Sequence, residues 1–358
     1  MTDRPIPTAI LGAGGYIGQH FARLLDDHPW FAPPRLGAGE RSAGRTLAEV
    51  WQLSEAPPLG LSGARLERLA PGALALAGVR VVFSALPSGT AGAIESELVR
   101  RGFSVFSNAS DHRMDADVPL LVPEANAAHL RLLDGRRPGR GVLVTNPNCS
   151  AAGLVVALAP VVPLLDPREV HVATYQSLSG AGYPGVPSLA VADNVVPYIE
   201  SEEEKIAAET SRILGAVRRR RVVPRSFPIL AHCARVATRE GHLEAVTIVA
   251  RRRPTLAALR TAWRSFDPLA GRSLPTAPHP PVDLRSEADR PQPVRDRWAG
   301  HPARARGMAV VVGRVRWSPP YLRFFVLSHN AVRGGAGGSV LNAELAVDTG
   351  RLPGRVRP

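Results

Sequence analysis

The residues best suited to chemistry are Cys149, His242 and Arg235. Cys149 sits in Asn146-Pro-Asn-Cys-Ser150, directly before the apolar run Gly153–Leu165, which places a thiol where a loop becomes a helix. The first helical turn carries unpaired N–H groups and partial positive charge, so the sequence predicts an acidified, nucleophilic Cys149. The same N–H groups can hold the oxyanion formed when sulfur attacks a carbonyl. A lone cysteine before an apolar run is otherwise an inert buried residue, so this reading depends on partners. His242 stands between Gly241, a turn residue, and the strand-like run Glu244–Ala250. An imidazole there can enter a cleft and exchange a proton with a thiol at neutral pH. Arg235, seven residues earlier, carries a fork suited to a substrate carboxylate.

These groups need a scaffold, and the N-terminal third supplies one half of it. Pro7–Leu11 is a short β run, followed by Gly12-Ala-Gly-Gly-Tyr-Ile-Gly18 and the helical pattern Gln19–Leu25. A strand, a glycine-rich turn and a helix make a dinucleotide fingerprint, because glycine lets the backbone approach a pyrophosphate at the helix N-terminus. Where the second strand should end, Arg41 and Ser42 suit the 2′-phosphate of NADP, and Glu40 is the signal for NAD instead. Further strands at 81–87, 104–108 and 142–145, with a helix over 91–101, alternate as in a doubly wound sheet. Beyond Cys149 the runs 169–176, 244–250, 308–313 and 321–328 predict a mostly antiparallel sheet with helices on one face. The expected class is α/β. A Rossmann-like doubly wound domain over 1–148 is joined by a C-terminal helix within 331–350, and an α+β substrate and dimerisation domain fills 149–330. Residues 271–304 read as loop, and the tail 351–358 as disordered.

Composition narrows the setting. The 358 residues are 45% hydrophobic and 21% charged, as in a water-soluble two-domain protein. Two cysteines, Cys149 and Cys233, are too few for a disulfide framework, so a reducing cytoplasm is the expected location. The N-terminus lacks the apolar stretch of a signal peptide, and no run is long enough to span a bilayer. The net charge is +13, but Lys205 is the only lysine among 44 basic residues. That bias reads as Lys drifting to Arg, so the Arg runs 218–221 and 251–253 are expected to be solvated faces and not nucleic-acid contacts. Lys205 then marks a position that needs a compact ammonium.

With Ser84-Ala-Leu-Pro-Ser88, Ser107-Asn-Ala-Ser110, Arg113-Met114, Asn146-Pro-Asn-Cys149, Gln176-Ser-Leu-Ser-Gly-Ala-Gly-Tyr-Pro-Gly185, Glu202-Glu-Glu-Lys205, Gly241-His242, Arg290-Pro-Gln-Pro293 and His329-Asn-Ala-Val-Arg-Gly334 in this order, the chain resembles the aspartate-semialdehyde dehydrogenase family, in the branch common in archaea and fungi. The resemblance spans nearly the whole chain. It implies that Cys149 attacks an acyl phosphate to form a thioester, that Gln176 orients the acyl group, and that His242 is the acid–base residue. It further implies that Arg235 clamps the substrate α-carboxylate and that Glu203, best aligned within 202–204, meets the substrate ammonium. Arg113 and Lys205 would bind phosphate, and Asn148 would help set the thiolate and the oxyanion site. Contacts to NADP(H) are implied for Gly12, Gly14, Gly15, Tyr16, Ile17, Arg41, Ser42, Ser84, Pro87, Ser179, Gly180 and Asn330. The implied reaction is NADPH-dependent conversion of L-aspartyl 4-phosphate to L-aspartate 4-semialdehyde, toward lysine, threonine and methionine, by a homodimer or homotetramer without a metal.

Some positions depart from the family pattern. Gly14 stands where Thr is frequent, Tyr175 where Met is usual, and the Arg-rich loop 294–306 is longer. Gly335 and Gly338 replace common Ala residues and are expected to weaken the closing helix by about 1 kcal/mol each. Malonyl-CoA reductase resembles the same branch and would use the same Cys, His and clamp, with no substrate ammonium and a coenzyme A leaving group. The acidic run and the phosphate ligands favour the aspartyl phosphate. N-acetyl-glutamyl-phosphate reductase shares the chemistry but fits the Glu-rich run poorly. A reading of another class, a non-catalytic nucleotide-binding regulator, is opposed by the presence of Cys149, His242 and Arg235 together.

Overall fold

The computed structural model describes residues 4–135 and 140–352. The early apolar runs form β1 (Thr8–Leu11), β2 (Arg35–Gly37), β3 (Val81–Ser84), β4 (Ser104–Ser107) and β5 (Leu143–Thr145). They pair in the order β2-β1-β3-β4-β5, every pair parallel. β1, β3 and β4 are buried along their whole length. A parallel sheet covered on both faces has no polar side, which is why these strands read as unbroken apolar runs.

The second sheet has the order β11-β12-β13-β10-β6-β9, from β6 (Pro167–Gln176), β9 (Ile229–Arg235), β10 (His242–Ala250), β11 (Val282–Leu284), β12 (Val310–Ser318) and β13 (Tyr321–Ser328). Its four central strands are antiparallel, and the edge strands β11 and β9 pair in parallel. The fold class is therefore as expected, with two corrections of detail. β11 lies inside the stretch read as loop; at three residues it is too short to show a period. β9 carries no clear strand signal in the sequence, because His232 and Arg235 interrupt its apolar pattern. The two remaining strands, β7 (Ala216–Arg218) and β8 (Arg221–Val223), form a separate hairpin, so the Arg run 218–221 is an exposed turn.

Helices Cys149–Leu158 and Glu202–Ile213 lie over the second sheet, and Trp263 of helix Leu256–Arg264 fills that core and bonds the Ala157 carbonyl at 2.8 Å. The Cys149 helix begins just past the C-terminal end of β5, the end at which parallel sheets bind ligands. The closing helix Gly337–Asp348 packs in the nucleotide-domain core. Its glycines are contacts and not only a cost. Gly335 is outside helical geometry, and a Cβ on Gly334 or Gly338 would lie 2.7 Å from the Cys149 Cα or 2.5 Å from Asn146 Oδ1. The expected penalty per glycine is thus set against close approach to the Cys149 loop. Of the tail, Arg351 bonds the Leu130 carbonyl at 3.1 Å and Leu352 is buried, contrary to the expected disorder. Residues 353–358, like Met1–Asp3, lie outside the described residues. No helix among the described residues is long and apolar enough to cross a membrane.

Candidate active site

Cys149 is the first residue of its helix, and Asn148 is the N-cap. The Asn148 Oδ1 accepts from the Ser150 and Ala151 amides at 2.9 and 3.2 Å, a cap worth about 1 kcal/mol. Strand register brings the partners to it. Gln176 ends β6 opposite Arg235 at the end of β9, and His242 opens β10 beside Leu243, which pairs with Tyr175. The Cys149 Sγ lies 3.2 Å from His242 Nε2. The histidine is fully buried and the cysteine partly open.

The expectation that the helix N-terminus acidifies Cys149 is overturned. Burial pushes the thiol up to about 12, and Glu202 adds to the rise; Arg235, Arg113 and the Ser150 amide pull it down by less. Burial, then Arg235, pushes His242 down to about 3. The resting pair is therefore a neutral thiol beside a neutral imidazole. Desolvation of a whole side chain outweighs the partial charges of a helix end, which are worth about 0.3–1 kcal/mol. Because the thiol titrates high, kcat/KM should climb about tenfold per pH unit between pH 6 and 9, as the thiolate fraction grows. A pH profile that is flat over this range would contradict it.

Glu203 does not face the site. Its carboxylate accepts from the Cys233 amide at 2.9 Å, away from Cys149. The buried acid is Glu202, which accepts from Gln176 Nε2 at 2.7 Å and from Asn148 Nδ2 at 2.9 Å. Asn148 is thus engaged on both sides of its amide, as a helix cap and a holder of Glu202. It positions the cysteine and does not turn its side chain to the sulfur. A second acid, not expected from the sequence, joins it. Glu209 accepts from Arg113 Nη1 at 2.9 Å and from the Asn148 amide at 2.6 Å. The signal was present: Glu202, Lys205 and Glu209 are spaced i, i+3, i+7, one face of a helix. Lys205 shares that face, half-buried, and its ammonium makes no hydrogen bond or ion pair to a described residue.

Arg235 is buried, and its Nη1 donates to the Ser177 carbonyl at 2.8 Å. Gly180 lies against it: a Cβ there would stand 2.6 Å from Arg235 Nη1 and 2.9 Å from His242 Cε1. Gly180 therefore adjoins the catalytic pair and does not line the glycine-rich cavity. Ser177, which the sequence did not single out, donates its amide N–H to His242 Nδ1 at 3.1 Å. Asn330 Oδ1 accepts from the Gly241 amide at 2.9 Å and from Ser177 Oγ at 3.2 Å, and its Nδ2 donates to Ser179 Oγ at 2.9 Å. Asn330 and Ser179 accordingly tie the loops around His242 together.

The glycine-rich turn opens on a cavity of about 810 Å³, lined by Gly12, Gly14, Gly15, Tyr16, Arg41, Ser42 and Pro87, and by Arg45 and Tyr183. Ser84 is buried at the end of β3 beneath this cavity, and Ile17 packs toward Gly335. These two expected cofactor contacts are not on its lining. The residues fit a dinucleotide. Gly12 has φ +81°, and a Cβ there would meet the Ala85 carbonyl at 2.6 Å. Helix Tyr16–Leu25 has no side-chain cap, so its N-terminal amides face the turn. Glu40 is paired with Arg68 at 2.8 Å, while Arg41 has no partner among the described residues. Tyr16 donates its hydroxyl to Glu240, linking this turn to the loop that carries His242.

Residues 7–133 match the family described as semialdehyde dehydrogenase, NAD binding domain, and residues 158–333 match semialdehyde dehydrogenase, dimerisation domain. An aspartate-semialdehyde dehydrogenase of Archaeoglobus fulgidus is 42% identical, over 94% of this chain and 97% of that one. A malonyl CoA reductase (NADP) of Metallosphaera sedula is 38% identical, over 98% and 99%. The crystal structure of aspartate semialdehyde dehydrogenase with NADP from Candida albicans superposes with a TM-score of 0.84 at 33% identity, covering 96% of this chain and 98% of that one. A site with a Cys–His pair beside a dinucleotide cavity, on a chain matched almost end to end, places this oxidoreductase in the aspartate-semialdehyde dehydrogenase family.

Proposed function

We propose that the chain catalyses the reversible, NADP(H)-dependent interconversion of L-aspartyl 4-phosphate and L-aspartate 4-semialdehyde. The observation that carries this reading is the Cys149–His242 contact at 3.2 Å, with a buried guanidinium and a buried carboxyl group around it. Arg235 takes the substrate α-carboxylate, Glu202 takes its ammonium, and Gln176, held by Glu202, steers the acyl group. Arg113 and Lys205 receive the phosphate. Cys149 forms and releases the acyl thioester, which divides a difficult carboxyl reduction into two easier steps. NADP(H) in the glycine-rich cavity supplies or accepts the hydride. Arg41, Ser42 and Arg45 favour a 2′-phosphate, since Glu40 is already engaged by Arg68. The chain assembles as a homodimer through the open face of the second sheet, where Tyr175, Leu230 and Tyr321 are exposed.

The test is phosphate-dependent reduction of NADP⁺ by the purified protein with L-aspartate 4-semialdehyde, with NAD⁺ in parallel. Turnover that needs phosphate and prefers NADP⁺ is expected. Oxidation of NADPH by malonyl-CoA, without the phosphate-dependent reaction, would move the chain to the activity for which its Metallosphaera relative is named. Silence in both assays would overturn the enzymatic reading.

A further inference from the structure

We propose that the hollow between helix Leu256–Arg264 and the edge of β12 is a second anion site, which takes the diphosphate group of a small ligand. It shares no lining residue with the glycine-rich cavity and none with the Cys149 site. The hollow has a volume of about 250 Å³. Its wall carries Arg260, Arg264, Arg285, Arg314 and Arg316, with Glu287 as the one acid among the described lining residues. These arginines come from three separate segments, so the fold gathers them and no local Arg run does.

Like charges brought into one hollow repel, and the protein offsets little of that repulsion. Arg260 and Arg264 stand one turn apart on a helix that has no acidic residue, a like-charged spacing that weakens a helix. The guanidinium groups of Arg260, Arg264 and Arg316 make no hydrogen bond or ion pair to a described residue. Glu287 is shared between Arg285 at 3.9 Å and Arg290 at 4.0 Å. Arg285 also pairs with Asp283 at 2.7 Å, yet its Nε is shut from solvent and has no hydrogen-bond acceptor. A bound anion supplies the missing countercharge.

The walls are held in place before any ligand arrives. Leu259 and Trp263 are buried, which anchors the helix that carries Arg260 and Arg264. β11 ends at Leu284, opposite Val312, and the ladder of β12 with β13 passes from Gly313 to Arg316 across a bulge. Arg314, in that bulge, has φ +53°, a conformation that non-glycine residues hold mainly at ligand sites and switch regions. Its guanidinium donates to the Ala288 carbonyl and so ties the bulge to the loop after β11. Planar guanidinium forks match phosphate oxygens in pairs. The hollow is smaller than the roughly 300–1,000 Å³ of pockets that enclose whole organic ligands, so it takes the anionic group and leaves any nucleoside outside.

The test needs no substrate and stands apart from the reaction proposed above. Inorganic pyrophosphate is titrated calorimetrically into the full chain saturated with NADP⁺, which occupies the glycine-rich cavity. We expect one pyrophosphate per chain, bound more tightly than inorganic phosphate and more weakly as salt is added. Arg260→Gln with Arg264→Gln should weaken binding at least about tenfold. Arg219→Gln with Arg220→Gln removes the same charge from an exposed hairpin turn and should leave the affinity unchanged. All four arginines are exposed and outside the catalytic site, so both double variants should keep wild-type turnover, which verifies their fold. ADP in place of pyrophosphate separates two sources of the same group. Equal or tighter binding of ADP assigns the site to nucleotides, and weaker binding assigns it to free diphosphate; both support it. Absence of saturable binding, an unchanged affinity in the Arg260/Arg264 variant, or an equal loss in the two double variants would overturn the proposal.

Discussion

Replacing Cys149 by Ser should lower turnover by about 10⁴-fold or more while leaving the fold intact. The substitution keeps the shape of the side chain, which makes one contact of note, to His242 Nε2. Nothing in the core depends on the sulfur, so stability should change by about 1 kcal/mol at most. Chemistry depends on it entirely. A hydroxyl in the same desolvated position is far harder to ionise than a thiol already pushed up to about 12. An ester is also a poorer intermediate than a thioester for the return step. Steady-state kinetics, with mass spectrometry of enzyme quenched during turnover, checks both parts. Wild type should gain the mass of an acyl adduct and the Ser variant should not. Activity within tenfold of wild type would remove Cys149 from the mechanism.

Arg235→Lys should raise the KM for L-aspartate 4-semialdehyde by about 30-fold, corresponding to about 2 kcal/mol, with a smaller change in kcat. Lys retains the positive charge, so its effects on Cys149 and His242 persist; both groups feel Arg235 electrostatically. What is lost is the planar fork, which can grip a carboxylate with one edge while Nη1 stays on the Ser177 carbonyl. The variant thereby separates recognition from activation. An unchanged KM would take Arg235 out of the substrate site. A large loss in kcat alone would mean that the guanidinium acts on the Cys149–His242 pair instead.

The spacing of residues along the chain determined the architecture and most of the site inventory. The glycine turn from Gly12 to Gly18, the unbroken apolar strands of the parallel sheet and the cysteine at a helix start are local signals. Their physical cause lies within a few residues, so they survive in the sequence. The single lysine was legible for the same reason, since composition alone sets it apart. What the tertiary structure decided is everything that depends on burial and on strands far apart in sequence. Glu202, not Glu203, is the buried acid because the pitch of its helix and the packing of that helix on β9 turn one carboxyl inward. Asn148 and Asn330 became positioning groups because their amides are fully engaged by neighbours from other segments. Ser177 came to hold His242 through the pairing of β6 with β10, a register that no local pattern encodes. The expected acidity of Cys149 failed on the same ground. A helix N-terminus can be read from sequence, but the desolvation that outweighs it arises only when both domains close around the sulfur.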